Sequence, residues 1–262
     1  MSRERFKFLL DCLRFDDKDT RDERKKSDAL AAIRDIWDEF INQCRNLYRP
    51  SSYVTIDEQL LGFRGRCPFR MYIPNKPSKY GIKIVFICDV SSKYMFDAMP
   101  YLGKSTNTNG MPLGEYYVKT LCETILGSNR NITMDNWFTS VKLADDLLAP
   151  PHKLTMVSTV RKNKREIPAE MLATKNRDPG SSRVCVDEQK VLVSYTPRQK
   201  KNVLLLSTKR EGCSISKTLG IPKIIETYNR QKGQWIYWTK CVQISVLLGK
   251  LKDSPSSFSM VY

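Results

Sequence analysis

The segment GIKIVFICDV, residues 81–90, constrains the architecture most. It is nearly all apolar and of strand length, the pattern of a β-strand covered on both faces. Such a strand needs helices to cover it. YVTIDEQLLGF (53–63) alternates and is β-branched, and YMFDAMPYLG (94–103) reads as a third strand. PLGEYYVKTLCETILG (112–127) reads as a helix with Gly127 near its C-terminus. NITMDNWF (131–138) then predicts a short strand, TSVKLADDLLA (139–149) a helix capped by Thr139 or Ser140, and KLTMVSTVR (153–161) a strand. The order β-β-β-α-β-α-β predicts an α/β sheet with helices packed on it.

Two helices are expected ahead of this core. SRERFKFLLDCLRF (2–15) spaces Phe6, Leu9, Leu10 and Leu13 on one face. DALAAIRDIWDEFINQCRNLY (28–48) spaces Leu30, Ile33, Ile36, Trp37, Phe40 and Ile41, with Asp28 placed to cap it. The charged stretch between them, residues 16–28, reads as a linker. After residue 161 the chain becomes basic and loop-like. VCVDEQKVLVSYTPRQKKNVLLLSTK (184–209) then predicts two or three strands, a β-rich insertion in the core. The domain reading is an N-terminal helical segment (1–50), the first part of the core (51–162), the insertion (163–222), and an incomplete end of the core with a non-native tail (223–262).

Of 262 residues, 41% are hydrophobic and 27% charged, as in globular chains. No run of 18 apolar residues occurs, so no membrane span and no membrane partner is expected. The N-terminus lacks the apolar stretch of a signal peptide. Eight cysteines without a C-x-x-C pair, and the single His152, argue against a zinc finger or ribbon. The thiols read as reduced, in cytosol or nucleus. The net charge of +16 is uneven. Residues 1–50 hold 12 Lys/Arg against 11 Asp/Glu, residues 51–150 hold 11 against 9, and residues 151–262 hold 21 against 8. So basic a C-terminal half points to a polyanion, nucleic acid foremost.

Asp57, inside a strand in TIDEQ, and Asp135, at a strand end in TMDNWF, stand out. A carboxylate in an apolar strand is costly unless it is paired or holds a cation. Two acids on adjacent strands can share Mg²⁺, with substrate phosphate completing the ion's shell. Asp89 and Asp97 are comparable on residue type alone, and the simple alternative for each acid is a cap or a strand end. Basic segments offer contacts to DNA phosphates: Arg64, Arg66 and Arg70 in FRGRCPFR, Arg161, Lys162, Lys164 and Arg165 in RKNKR, and Lys200 and Lys201 in RQKK. RKNKR reads equally as a nuclear import signal or an exposed loop. Trp137 is expected to fill the core rather than stack on a base.

The blocks SRERFKFLLDCLRFDD, YVTIDEQLLGFRGRCPFRMYIPNKPSKYGIKI, GSNRNITMDNWFTSVKLADDLL, TVRKNKREIP and YTPRQKKNVLLLST occur in the order of one family. Over roughly residues 1–232 the chain resembles the piggyBac superfamily of transposases and its transposable element-derived members. The resemblance implies an α/β fold with an RNase H-like transposase core, a β-rich insertion and cut-and-paste transposition of DNA at TTAA targets. It implies a nuclear protein, a homodimer, and Asp57 and Asp135 as catalytic acids and ligands of Mg²⁺ or Mn²⁺.

The family's third acid follows a YN-x-x-K-G-G-V-D-x-L-D motif. Here YNRQKG (228–233) is followed by QWIYWT. Read one base out of phase, the codons required for Gln234–Thr239 yield Asp, a variable residue, Leu and Asp. A nucleotide slip near Gly233 is therefore expected, leaving residues 234–262 out of frame. No in-frame carboxylate then follows until Asp253, and no zinc is expected. Three functional readings stay open: a catalytically defective transposase-derived protein with residual DNA binding, an active metal-dependent transposase with three Asp ligands, and a domesticated non-enzymatic DNA- or protein-binding protein. A fourth is a chain too incomplete to fold.

Overall fold

The computed structural model describes residues 1–74, 76, 79–103, 106–209, 214–216 and 219–232. The frame-slipped segment expected at 234–262 lies outside the described residues, as does Asp253. Three helices come first: α1 (Arg3–Cys12), α2 (Lys18–Ser27) and α3 (Arg34–Asn46). A long strand β1 (Tyr53–Gly62), a two-residue β2 (Met71–Tyr72), β3 (Tyr80–Asp89) and β4 (Met95–Pro100) follow. Then come α4 (Leu113–Cys122), β5 (Asn131–Met134), α5 (Val141–Leu148) and β6 (Thr155–Thr159). The short helix α6 (Ala169–Leu172), strands β7 (Ser182–Val186), β8 (Val191–Arg198) and β9 (Lys201–Ser207), and α7 (Lys223–Lys232) complete the described fold.

All nine strands join one sheet in the order β2-β3-β1-β5-β6-β9-β8-β7, with β4 also paired to β3. β1 and β3 are antiparallel, while β1, β5 and β6 run parallel. This is the mixed α/β sheet expected. The strands at 182–207 continue that sheet, because β9 pairs antiparallel with β6. The register of β1 on β5 is held from outside the ladder as well. Arg130, just before β5, donates Nη2 to the Pro50 carbonyl (2.7 Å) and Nε to the Ser51 carbonyl (2.8 Å).

The central strands separate two apolar layers. Val54, Ile56, Val85, Ile87, Ile132 and Met134 face Tyr117, Leu121, Leu143 and Leu147 of α4 and α5. On the other face, Ile82, Ile84, Phe86 and Cys88 pack under Trp37, Ile41 and Cys44 of α3. Further along that face Val157, Val193 and Leu205 meet Ile224, Ile225 and Tyr228 of α7. Residues of GIKIVFICDV thus point alternately into two cores, which is why the segment is nearly all apolar. Burying each such aliphatic side chain contributes about 1.5–3 kcal/mol. Among the described residues no helix is long and apolar enough to cross a membrane.

Several local expectations change. The stretch expected as a linker at 16–28 is the helix α2. It buries none of its own residues, so no apolar stripe announces it. Asp17 caps it, Asp19 lies in its first turn and Arg24, Lys25 and Lys26 in its last, the signs that the helix dipole favours. Asp28 ends α2 and grips Arg34 (2.7 Å) instead of capping α3, which begins only at Arg34. Of the residues expected on one helix face, Phe6 and Leu9 lie in α1 and Leu13 just past its end at Cys12; all three are exposed, and the Leu10 side chain lies outside the described residues. The polar stretch YNRQK, which reads as a helix end or a loop, is the helix end: it forms the C-terminal half of α7, whose buried residues include Tyr228 and Gln231. The strand expected through residue 138 stops at Met134, and Ser140 is the residue that caps α5.

Gly114 lets α4 lie against the turn that follows β5. A Cβ there would come within 2.7 Å of the Trp137 carbonyl oxygen and 3.1 Å of Phe138 Cα, both backbone atoms. Gly114→Ala should cost roughly 1–3 kcal/mol in denaturant unfolding and perturb the near-UV dichroism of Trp137.

Candidate active site

The parallel register aligns Tyr53 with Asn131, Val54 with Ile132 and Thr55 with Thr133. The same offset carries Asp57 to the level of Asp135, one residue beyond the end of β5. The strand can stop there because Asp135 turns the chain. Its Oδ1 accepts the Trp137 N–H (2.8 Å), and its carbonyl accepts the Thr139 hydroxyl (2.8 Å) and the Phe138 N–H (3.3 Å). Asp135 is left half-buried at the sheet's end.

Asp57 sits deeper, with 5% of its surface exposed. Its Oδ1 accepts the Glu58 N–H at 2.8 Å. Its Oδ2 is buried without a hydrogen bond, and Lys232 Nζ lies 3.9 Å from it. Burial pushes the Asp57 carboxyl up to about 6, the nearby Lys232 charge and the Glu58 N–H pull it down, and the charges of Asp135 and Glu58 push it further up. A buried carboxylate oxygen with no donor, level with a second carboxylate just past the end of a parallel strand, suits a divalent cation that keeps part of its shell for water or phosphate. Among the described residues no cluster of three or more His, Cys, Asp or Glu forms.

The other two candidate acids are committed elsewhere. Asp89 accepts N–H groups from Ser51, Ser91 (2.6 Å) and Ser92 (3.1 Å), tying the entry to β1 to the exit from β3. Burial raises its pKa, but these donors outweigh burial and leave it lowered. Asp97, fully buried in β4, pairs through Oδ1 with Arg45 Nη2 of α3 at 2.9 Å. Burial still holds its pKa up against that partner.

Two lysines escape sequence reasoning. Lys83 is the one cation in the apolar run, and 7% of it is exposed. It pairs with Glu58, and its ammonium lies 3.8 Å from the Trp137 ring centroid and 5.9 Å from that of Tyr101. Glu58 follows Asp57 and Trp137 follows Asp135 by two, so one ammonium bridges both acid-bearing segments on the face opposite Asp57. Trp137 itself is half-buried, edge-on to Phe138 with ring centroids 4.7 Å apart. Lys232 was hidden because its helix has a polar outer face. Its position becomes legible only once α7 is laid across β5.

The basic segments lie in the direction in which β1, β5 and β6 run, past the acids, with Arg64 starting beyond Gly62, five residues after Asp57. Arg64, Arg66 and Arg70 are exposed beyond the C-terminal end of β1, with Arg70 stacked on Tyr80 (5.3 Å to the centroid). Arg161, Lys162 and Arg165 are exposed and Lys164 is half-buried, just after β6. Arg161 Nε reaches the Asn136 side-chain oxygen at 3.4 Å, next to Asp135. Lys200 and Lys201 are exposed at the β8–β9 turn, which the antiparallel pairing of β9 with β6 carries to this same end.

Because Asp57 is held near 6 in the folded chain against 3.8 for the ordinary carboxyl, the folded chain keeps a proton that the unfolded chain has released. Stability therefore falls as pH rises from about 4 to about 6 and is level above. The unfolding free energy of Asp57→Asn minus that of wild type should be about 2 kcal/mol larger at pH 8 than at pH 4. Paired urea titrations at the two pH values measure this difference.

Comparison with known proteins gives this geometry a context. Residues 1–243 match the family described as Transposase IS4. The chain is 27% identical over 190 residues to the human PiggyBac transposable element-derived protein 3, covering 69% of this chain and 31% of that protein. It is equally 27% identical over 190 residues to the human Chimeric ERCC6-PGBD3 protein, of which it spans 17%. The cryo-EM structure of a piggyBac transposase synaptic complex with hairpin DNA superposes with a TM-score of 0.88 at 54% identity, over 94% of this chain and 51% of that one. The chain thus spans about half, or less, of the relatives it matches. Its mixed sheet is the RNase H-like core of that transposase fold, and the chain belongs to the IS4-type transposase family and, within it, to the piggyBac group.

Proposed function

We propose that this chain is a DNA-binding, transposase-derived protein whose Asp57 and Asp135 are two members of a metal-dependent strand-cleaving site, and that it is catalytically defective. The observation that carries the reading is the parallel register that brings Asp57 of β1 level with Asp135, one residue past β5, with the basic segment after β6 next to Asp135 through Arg161 and Asn136. Transposases of this family use divalent metal ions. Asp57 Oδ2 and the Asp135 carboxylate are the groups that would hold Mg²⁺ or Mn²⁺. Such an ion, when bound, would activate the attacking oxygen and neutralise charge at the phosphorus. Arg161, held beside Asp135 through Asn136, is placed to position the DNA backbone. Arg64, Arg66, Arg70, Lys162, Lys164, Arg165, Lys200 and Lys201 extend that contact.

The defect follows from the donor set. Among the described residues two carboxylates supply part of a shell that three would complete, and the family's third-acid motif is interrupted in the sequence after Gly233. Metal position and charge provide most of the rate in this chemistry, so the loss of a ligand removes nearly all of it. By the same descent the DNA would be transposon ends and TTAA targets, the chain would act as a homodimer, and it would work in the nucleus. The alternative reading, an active transposase, draws its support from the intact alignment of Asp57 and Asp135.

Binding and cleavage separate the two. Purified protein should bind duplex DNA with an affinity that falls steeply between low and physiological salt. It should nick that DNA negligibly with either Mg²⁺ or Mn²⁺. Robust metal-dependent nicking that Asp57→Ala or Asp135→Ala abolishes would establish the active reading instead. Salt-independent binding would remove the DNA reading.

A further inference from the structure

We propose that Lys232 is a built-in counter-cation of the Asp57–Asp135 pair and competes with the divalent ion for it. The inference rests on the reading of those two acids as a metal site and adds a component that this reading lacks.

The placement of Lys232 is set by the helix that carries it. α7 lies on the Asp57 face of the sheet, with Tyr228 buried against the layer that includes Val157 and Leu205. Gln231, 2% exposed, accepts the Thr133 hydroxyl, so the last turn of α7 is bonded to β5 two residues before Asp135. Lys232 is the final residue of α7. Its ammonium lies 5.6 Å from the centroid of Tyr228, one turn back. It also lies 3.9 Å from Asp57 Oδ2, the carboxylate oxygen that no hydrogen bond uses. Only 26% of the side chain is exposed. Lysine carries an ammonium at neutral pH, so a positive charge stands beside the unused oxygen of Asp57.

This is the place a divalent ion would take. Magnesium sits about 2.0–2.1 Å from a carboxylate oxygen. An ion bound to Asp57 Oδ2 would therefore stand within a few ångströms of a like charge, in surroundings where water screens poorly. The ammonium must swing away, and the four-carbon stem of lysine, anchored at a helix end, allows that movement. Until it does, the acid pair is already partly neutralised. Lys232 thereby raises the metal concentration needed to fill the site, and it does so from the chain's own sequence.

Mn²⁺ alone, titrated into the full 262-residue chain and followed by the electron paramagnetic resonance of free Mn²⁺, tests this without any cleavage step. Lys232→Gln should bind Mn²⁺ about tenfold more tightly than wild type, because a repelling charge is gone. Lys232→Arg, which keeps the charge, should bind as wild type does. Lys232→Met, which keeps the apolar stem, should match Lys232→Gln and guards against a fault peculiar to one variant. Asp57→Asn should weaken binding in the wild-type and Lys232→Gln backgrounds alike. Binding by Lys232→Gln where wild type shows none supports the proposal outright. Equal affinity in wild type and Lys232→Gln, with Asp57→Asn still weakening both, overturns the role of Lys232 and leaves the metal site standing. Indifference to Asp57→Asn, or no binding by any form, overturns the metal site and the Lys232 proposal together.

Discussion

The parallel pairing of β1 with β5 is the constraint on which the rest depends. Neither acid acquires its neighbour from local sequence, since 78 residues separate Asp57 from Asp135, the same offset that relates Thr55 to Thr133 across the ladder. That offset is held by backbone bonds along the strands, by Arg130 reaching the Pro50 and Ser51 carbonyls, and by Asp89 gathering the loop at the start of β1. A slip of one residue would turn Asp57 toward the opposite face and bring Glu58 in its place. The apolar layers under α4, α5 and α3 oppose such a slip, because every buried side chain of β1 would change sides with it.

The two faces of the sheet then divide the work. On the face of α4 and α5, Lys83 joins Glu58 to Trp137 within a largely apolar layer, so the segments carrying the two acids are tied together away from the site itself. On the face of α3 and α7, Asp57 is buried with one oxygen unused and Lys232 beside it. Function and stability oppose each other at this point. Burial raises the pKa of Asp57 and makes its charged form expensive, and the same burial makes the carboxylate a strong partner for any cation that reaches it. Lys232 offsets part of that expense with a charge from within the chain.

Much of the core was legible because its pattern is local. GIKIVFICDV announced a strand with two covered faces, and the alternation of β1 and the apolar spacing of α4 and α5 carried their own periods. What escaped detection lacked such a period. α2 is polar all round and held by Asp16 with Arg21 and Arg24, so its residues looked like a linker. α7 carries few apolar residues, and its inward Gln231 reads as solvent-facing until Thr133 is found opposite it. α1 shows the reverse case. Phe6, Leu9 and Leu13 share the spacing of one helix face, yet their side chains are exposed, since periodicity states which residues share a face and not what covers it.

For the site, residue type and strand context nominated four acids, and family motifs distinguished two of them. From sequence alone came the family, the α/β order, the basic C-terminal half and the identity of Asp57 and Asp135 as candidates. Those are properties of composition, period and motif, which a chain carries before it folds. Only the tertiary structure decided that Asp89 and Asp97 serve the fold, that Lys83 braces the acid-bearing segments, and that Lys232 faces the carboxylate pair. Each of these depends on groups far apart in the chain meeting across a strand register or a helix–sheet contact. Such meetings are set by the packing of the whole core and leave no mark in the local sequence.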